Sequence, residues 1–257
     1  MSLFDLTGKS IIITAGASYL GRAMAEAVAE FGAQIAITSR NLTKAQAVAT
    51  MLSDGYGVEA LGLSMDLDDD ESIWKMVSDT VSAFGKVDVL INNASYSRPA
   101  PFIDMTAELW ETGMRGTAGG MFKAVKAALD VMIVQESGNI INISSIYGVV
   151  APEPGLYRET LPNPANYGAG KAAVIQLTKY IACFYGEKGV RANCICPGAF
   201  PNEYQNAEFV SRLASKTPLH RVGRPNDLKG ITVLLASDAS SYITGQNYIV
   251  DGGWTAW

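Results

Sequence analysis

Short runs of apolar residues alternate along the chain with longer segments in which apolar residues recur every three or four positions. The short runs predict buried strands, and the longer segments predict amphipathic helices. The predicted strands are Ser10–Thr14, Gln34–Ser39, Val58–Leu63, Val87–Asn92, Asn139–Ser144, Arg191–Ile195 and Asn247–Val250. The predicted helices are Gly21–Phe31, Leu42–Leu52, Asp69–Phe84, Thr106–Glu136, Pro164–Gly186, Asn202–Ser215 and Pro225–Ala236. This alternation predicts an α/β fold, a doubly wound parallel sheet of about seven strands with helices on both faces.

Length and composition fit a single domain that spans the whole chain. The protein has 257 residues, of which 48% are hydrophobic, enough to bury one large core. No apolar run approaches the roughly 18 residues of a membrane span, and the N-terminus lacks a signal segment, so we expect a cytoplasmic protein without a membrane partner. The net charge is −5 and the basic residues are scattered, which argues against a nucleic-acid partner.

The cysteines and the single histidine narrow the chemistry. No cluster of His or Cys completes a zinc set with Cys183, Cys194 and Cys196, so we interpret all three as reduced core residues and expect no metal. His220 lies in a polar segment, and no nucleophile-elbow motif surrounds Ser145, which argues against a Ser-His-Asp hydrolase.

A tyrosine and a lysine lie four residues apart in the segment Tyr167-Gly-Ala-Gly-Lys171. At this spacing both side chains share one face of the predicted helix. A phenol titrates near pH ~10, and an ammonium beside it favours the phenolate, so the pair can exchange a proton near neutrality. Reduction of a carbonyl needs such a group, although an exposed pair on an ordinary helix has the same spacing.

A glycine-bearing turn, Ala15-Gly16-Ala17-Ser18-Tyr19-Leu20-Gly21, connects the first predicted strand to the first predicted helix. Such a turn aims backbone N–H groups and the positive end of a helix at a phosphate, as doubly wound folds do when they bind dinucleotides. Ligands of these sheets bind at the carboxyl ends of the strands. We therefore expect Ser95, Ser145, Tyr167 and the loop after Pro197 to meet in one cleft.

Together these motifs closely resemble the short-chain dehydrogenase/reductase family over nearly the whole chain. They occur in the order glycine turn, Asp88-Val-Leu-Ile-Asn92-Asn93-Ala94, Asn142-Ile-Ser144-Ser145, Tyr167…Lys171, Pro197-Gly198 and Asp251-Gly252-Gly253. The resemblance implies a Rossmann-type fold and an NAD(P)(H)-dependent enzyme that interconverts a carbonyl and a secondary alcohol by hydride transfer. It also implies a homotetramer, in which the helices Thr106–Glu136 and Pro164–Gly186 pair between subunits.

The resemblance implies a role for each of three catalytic residues. Tyr167 would donate the proton to the carbonyl in reduction, and Lys171 would lower the pKa of Tyr167 and hold the nicotinamide ribose. Ser145 would hydrogen-bond the substrate oxygen. The neighbouring Ser144 is the competing serine, interpreted as a strand-end hydroxyl.

The resemblance also implies the cofactor contacts, which are Gly16, Ser18, Tyr19, Leu20, Gly21, Arg40, Asp66, Leu67, Asn93, Ala94, Tyr167, Lys171, Pro197 and Gly198. Asp66 and Leu67 would border the adenine, and Asn93 and Ala94 would pass beside the ribose. No carboxylate ends the second strand and Arg40 follows it, which favours NADP(H) because an Arg can pair with the extra phosphate. If Arg40 is only a solvated surface charge, NAD(H) is the alternative.

Four positions depart from the family pattern. Ala15 and Tyr19 replace glycines of the phosphate turn, Thr117 replaces a catalytic Asn, and Ser95 replaces the last glycine of Asn-Asn-Ala-Gly. Four glycines within residues 113–120 also predict close packing or a kink in that helix. If these departures disable turnover, the chain is a non-catalytic binding or scaffold protein, although the intact catalytic residues argue against that hypothesis.

The segment between Ser145 and Tyr167 is longer than the family usually has. It forms either a pocket wall or a contact with a neighbouring subunit. As a pocket wall, its Tyr147, Arg158 and Glu159, together with the separate Arg98, would favour a small polar substrate such as a sugar, sugar acid or keto acid. The loop looks most like the gluconate-5-dehydrogenase-like branch, and a 3-oxoacyl-thioester reductase is the alternative.

Overall fold

A seven-stranded, entirely parallel sheet forms the centre of the computed structural model, which describes residues 2–157 and 163–257. The strands are β1 (Ser10–Ile13), β2 (Gln34–Ser39), β3 (Ala60–Ser64), β4 (Val89–Asn92), β5 (Gly138–Ile143), β6 (Val190–Pro197) and β7 (Asn247–Val250). They are arranged in the order β3-β2-β1-β4-β5-β6-β7. The predicted α/β fold is confirmed, and β2 and β7 agree with the predicted strands at both ends.

Helices cover both faces of the sheet. They are α1 (Tyr19–Ala29), α2 (Leu42–Tyr56), α3 (Asp70–Phe84), α4 (Ala107–Met114), α5 (Gly120–Val134), α6 (Ala165–Tyr185), α7 (Ala207–Ala214) and α8 (Lys229–Ala236). Side chains of β1 alternate between the two layers, since Ile11 and Ile13 join the core under α1, α2 and α8, whereas Ile12 joins the core under α3, α5 and α6. In the described part of the chain no helix is long and apolar enough to cross a membrane.

The strand order reverses beside β1, which positions the site. From β1 the chain moves outward through β2 and β3 and then returns to β4 on the other side of β1. The loops that leave the carboxyl ends of β1 and β4 therefore diverge and open a crevice, where ligands of doubly wound sheets bind.

The glycine-rich helix predicted over residues 106–136 is interrupted. A π-helical turn, Arg115–Gly119, joins α4 to α5. A Cβ atom added to Gly113 would overlap the side chain of Asn166 on α6, so this glycine permits a close approach of the two helices. The predicted kink and the predicted close packing therefore coincide, as is common for π-helical turns.

Two α-helices begin four or five residues after the predicted start. The helix predicted from Asn202 begins at Ala207, because the Asn202 side chain accepts the Tyr204 N–H in a turn and the Asn206 side chain accepts the Glu208 N–H as an N-cap. The helix predicted from Pro225 opens with a 3₁₀ turn before α8.

The cysteines do not all lie in the core. Cys194 and Cys196 are buried in β6 and pack against Met121 and Val174, as expected. Cys183 is exposed on α6, which corrects the interpretation of three core cysteines. The apolar pattern around residue 183 comes from its helical neighbours Ile181 and Ala182, which are buried.

Candidate active site

A cavity of about 580 Å³ opens at the carboxyl edge of the sheet, beside the ends of β5 and β6 and the start of α6. Its lining residues are Ser97, Pro99, Ser145, Ile146, Tyr147, Tyr157, Asn163, Pro164, Tyr167, Gly198, Ala199, Phe200, Pro201, Gln205, Phe209 and Leu213. The predicted convergence of Ser145, Tyr167 and the loop after Pro197 therefore exists. Ser95 was expected in the same cleft, but it lines a separate cavity.

The two adjacent serines have different surroundings. Ser144 donates its hydroxyl to the Lys171 carbonyl at 2.7 Å and is buried, so it joins β5 to α6. Ser145 lines the cavity, and its hydroxyl oxygen accepts the Tyr147 N–H at 3.1 Å. Of these two serines, only Ser145 can therefore contact a ligand in the cavity.

Tyr167 and Lys171 lie one turn apart near the start of α6. The Lys171 side chain is almost completely buried, and its Nζ donates to the Ile143 carbonyl at 2.8 Å. The same Nζ lies 5.6 Å from the centre of the Tyr167 ring. The end of β5 thus fixes an ammonium beside the phenol that faces the cavity.

Burial dominates the titration of both groups. Loss of solvent lowers the pKa of Lys171 to about 8. Burial also raises the pKa of Tyr167 above its ordinary value, and the Ser145 hydroxyl acts in the opposite direction. The expected lowering of the Tyr167 pKa by Lys171 is not what this structure shows. Burial therefore favours the protonated form of the phenol.

The phosphate turn fits a dinucleotide despite its altered sequence. Ala15 adopts the left-handed conformation, with φ of 49°, where a glycine would cost nothing and an alanine costs about 1 kcal/mol. A Cβ atom on Gly16 would lie 2.9 Å from the Ile13 carbonyl oxygen, and one on Gly21 would strike the Ala15 carbonyl. The backbone therefore keeps the compact turn that lets a pyrophosphate approach the N-terminus of α1.

Side chains of the turn point away from the expected phosphate position. Tyr19 donates its hydroxyl to the Pro201 carbonyl at 2.9 Å, across to the loop before α7. The Ser18 hydroxyl donates to the Ala15 carbonyl at 2.6 Å, and Leu20 packs against the core. The Ser18 N–H donates to the Ala15 carbonyl at 3.0 Å. Residues 19–21 can therefore contact a phosphate through their backbone N–H groups, which a first helical turn leaves without helical partners.

Asn93 stabilises the phosphate turn by hydrogen bonds. Its side-chain amide donates to the carbonyls of Thr14 and Ala15 at 3.1 and 3.4 Å, and its backbone N–H donates to the Thr14 hydroxyl at 2.8 Å. The Asn93 side chain thus holds the phosphate turn, and its expected place beside the ribose stays a prediction. Ala94 lines the neighbouring cavity, as expected.

That neighbouring cavity, of about 310 Å³, lies beyond the ends of β2 and β3. It is lined by the predicted residues Arg40, Asp66, Leu67 and Ala94. Lys44, from the first turn of α2, lines it too and was missed by the sequence analysis. Within the described residues neither Arg40 nor Lys44 pairs with a carboxylate, so both cations are available to a phosphate.

A pattern in the sequence could have revealed Lys44. Asn41 caps α2, because its side-chain oxygen accepts the Lys44 N–H at 3.0 Å. A helix that starts at an Asn directly after Arg40 places the third residue of its first turn above the same cavity. The cavity is therefore lined by two cations and the N-terminus of α2.

The predicted Pro197-Gly198 turn closes the other side of the site. Pro197 ends β6, and the Gly198 N–H donates to the Val250 carbonyl at 2.9 Å. A Cβ atom on Gly198 would lie 2.7 Å from the Cα of Asp251, so only glycine fits. This contact holds the end of β6 against the Asp-Gly-Gly segment and leaves Gly198 facing the cavity.

Thr117 does not reproduce the hydrogen bonding of an Asn. Its hydroxyl donates to the Gly113 carbonyl at 2.7 Å inside the helix, and its side chain is buried against Gly170. The hydroxyl hydrogen of Thr117 is thus used within the helix. Thr117 instead sets the packing of α6 next to Lys171.

The long segment after Ser145 forms part of the pocket wall. Tyr147 and Tyr157 line the cavity, and Leu156 packs in a buried cluster with Leu213 and Trp254. Of the charged residues expected there, Arg158 and Glu159 lie outside the described residues. Arg98 does not line the cavity.

Comparison with known proteins identifies the class that this fold and site define. Residues 15–255 match the model of a protein family described as enoyl-(acyl carrier protein) reductase. A curated relative, the 3-oxoacyl-[acyl-carrier-protein] reductase FabG of Chlamydia trachomatis, is 33% identical over 251 residues, which cover 96% of this chain and 98% of the relative.

Two similar crystal structures support the same assignment. A short-chain type dehydrogenase/reductase from Mycobacterium marinum is 32% identical with a TM-score of 0.91, and 99% of this chain and 98% of that chain are covered. A gluconate 5-dehydrogenase from Burkholderia cenocepacia, in complex with NADP and tartrate, is 32% identical with a TM-score of 0.90, at coverages of 99% and 98%. The chain belongs to the short-chain dehydrogenase/reductase family. It is an oxidoreductase of the kind that uses NAD(P).

Proposed function

We propose that this oxidoreductase interconverts a carbonyl and a secondary alcohol on a small polar substrate, with NADP(H) as its cofactor. The observation that carries the proposal is the meeting of Ser145 and Tyr167 in one cavity, with the Lys171 ammonium buried beside the phenol. When bound, the nicotinamide supplies or accepts the hydride.

Tyr167, Ser145 and Lys171 have separate roles in the proton transfer and in stabilising the developing charge. Tyr167, held protonated by burial, donates its proton to the carbonyl oxygen in reduction and takes one back in oxidation. Ser145 already accepts a backbone hydrogen bond, so its own hydroxyl hydrogen remains for the substrate oxygen as negative charge develops. Lys171 stabilises that charge from a fixed position under the Tyr167 ring.

The catalytic assignment is tested with purified wild-type protein and Tyr167→Phe, by following NADPH absorbance in the presence of small ketones. Turnover by the wild type alone supports the assignment, provided that both proteins bind NADPH. Equal turnover would refute it. NADPH binding without turnover of any carbonyl would instead favour the non-catalytic binding protein.

Selection of NADP(H) is supported by the cavity beyond β2. Arg40 and Lys44 line it without carboxylate partners among the described residues, and the N-terminus of α2 adds a partial positive charge. No acidic side chain ends β2 to bind the ribose hydroxyls of NAD(H). The Burkholderia cenocepacia relative was crystallised with NADP.

A small polar substrate is supported by the lining of the substrate cavity. Its polar groups include Tyr147, Tyr157, Asn163 and Gln205 in addition to the catalytic residues. Sugars, sugar acids and keto acids offer matching oxygens. The related Burkholderia cenocepacia enzyme is a gluconate 5-dehydrogenase and holds tartrate.

Reduction of 3-oxoacyl thioesters is the second candidate, favoured by the relationship to the Chlamydia trachomatis reductase. Comparing kcat/KM for a 3-oxoacyl thioester on acyl carrier protein with that for a polar ketone separates the two. A clear preference for the carrier-linked substrate would replace our proposal. A preference for the polar ketone supports it.

We further propose that the protein is a homotetramer that pairs through α5 and α6. These helices carry the exposed aromatic residues Phe122, Tyr180 and Phe184, and the rings of Tyr180 and Phe184 stack with centres 4.2 Å apart. Neighbouring exposed aromatic residues favour burial against another protein surface.

A further inference from the structure

Two tyrosines form a hydrogen-bonded pair inside the substrate cavity. Tyr147 comes from the short turn after Ser145, and Tyr157 comes from the long segment that precedes α6. Their hydroxyl oxygens lie 2.6 Å apart, and both residues line the cavity with Tyr167. The catalytic mechanism uses neither hydroxyl, so the pair needs its own explanation.

The pair has hydrogen-bonding capacity left over. Two phenols carry two O–H donors, and their mutual bond uses one of them. One donor and several lone pairs therefore remain for a ligand. Burial raises the pKa of Tyr147 well above its usual value, so this phenol stays neutral and keeps its donor at physiological pH.

The pair is held rigidly, as a binding site requires. The Tyr157 ring packs against Phe209 of α7, with ring centres 5.7 Å apart. Glu153, on the same segment, pairs with Lys216 at 2.7 Å beyond the other end of α7. The hydroxyls are therefore ordered before substrate arrives, which reduces the entropy lost on binding.

Both the charge and the hydrogen-bonding groups of the cavity favour an uncharged hydroxyl group as ligand. Every described residue that lines it is uncharged, so none of them offers a cation to a carboxylate. A hydroxyl group can accept from the remaining phenol donor and donate to a phenol lone pair. An acyl chain in this position would leave the half-buried phenols without a ligand partner, which is unfavourable.

We propose that the Tyr147–Tyr157 pair binds a hydroxyl group of the substrate and selects neutral hydroxyketones over ketones that lack this group. This inference rests on the proposed function, because it names the substrate class of the same site. It makes Tyr147 and Tyr157 determinants of specificity, separate from the proton transfer by Tyr167.

Hydroxyacetone and butanone test the inference, since they differ by a hydroxyl in place of a methyl group. We expect the wild type to favour hydroxyacetone by at least about tenfold in kcat/KM, the effect of one or two hydrogen bonds to a built site. Tyr157→Phe and Tyr147→Phe each remove one hydroxyl and keep the ring. Each should raise KM for hydroxyacetone by about tenfold, with kcat and the values for butanone nearly unchanged.

Tyr204→Phe is the matched control. Tyr204 is an exposed tyrosine in the segment before α7, and its side chain does not line the cavity. This variant should leave kcat and KM unchanged for both ketones. Equal losses for both ketones in Tyr157→Phe would indicate a purely structural role and overturn the inference. A preference for pyruvate over hydroxyacetone would also overturn it.

A binding measurement separates this inference from the proposed function. NMR saturation transfer to the NADPH complex of Tyr167→Phe compares the two ketones without catalysis. Stronger binding of hydroxyacetone, lost in the Tyr157→Phe/Tyr167→Phe double variant, supports the pair even if turnover fails. Wild-type turnover of both ketones with equal efficiency would leave the proposed function standing and refute the pair.

Discussion

Removal of the two cations beside β2 should change the choice of cofactor. Arg40 and Lys44 face the same cavity from the end of β2 and the start of α2, and neither meets a carboxylate in the described part of the chain. A charge-assisted contact between either cation and the extra phosphate of NADPH contributes about 1.4 kcal/mol at this solvent-accessible position, which is a factor of ten in Kd. Arg40→Ala should therefore weaken NADPH binding about tenfold, and Lys44→Ala in addition should weaken it by about a further tenfold. NADH binding should change little.

The assay is a fluorescence titration of each variant with NADPH and with NADH, at low and at high salt. Added salt should reduce the difference in Kd between NADPH and NADH in the wild type, because it screens exposed charges. Lys188→Ala removes an exposed cation from the turn before β6 and serves as the control. Equal weakening of NADPH and NADH in Arg40→Ala would indicate a disturbed loop, and unchanged NADPH binding would show that Arg40 is only a surface charge. Either result would refute the reasoning.

Three further perturbations test other parts of the site. Tyr167→Phe should abolish turnover and leave the Kd for NADPH within a few fold, measured by the same titration; retained turnover would remove Tyr167 from the mechanism. The folded-state pKa of Lys171 is about 8 and its ordinary value is 10.5, so the unfolded state binds more protons between these pH values. Urea unfolding should therefore show the wild type gaining stability relative to Lys171→Met, by up to about 3 kcal/mol, as pH rises from 8 to 10.5, and a flat difference would contradict the buried charge. Phe184→Glu should shift the protein to a smaller species in light scattering, whereas an unchanged mass would exclude this face from the interface.

Much of the fold was predictable because the central strands are buried on both faces. Strands such as β1 and β4 read as nearly continuous apolar runs, and parallel strands between helical segments leave few alternative topologies. The approach of Lys171 to Tyr167 was predictable from their spacing on one helix, and their catalytic role stays a prediction. The assignment of Ser145 over Ser144 follows the family motif and agrees with the hydrogen bonds that the structure shows.

Features that depend on tertiary packing were not predictable. The Asn93 side chain could equally have faced a ribose, and only the position of the Thr14 and Ala15 carbonyls decides its role. Burial determines the direction in which the Tyr167 pKa shifts. The spacing of two residues on a helix does not tell how deeply either of them is buried. The pairing of Tyr157 with Tyr147 joins two loops whose relative position is set by the packing of α7.

The contact between Thr117 and Gly170 has an evolutionary consequence. A side chain at residue 170 would overlap the Thr117 hydroxyl, and Gly170 directly precedes Lys171. The two positions are therefore epistatic: Gly170→Ala alone should be strongly destabilising, whereas Gly170→Ala together with Thr117→Ala should recover part of the loss in a double-mutant cycle. Because this contact lies directly beside Lys171, the present pair constrains which substitutions this active site can accept next.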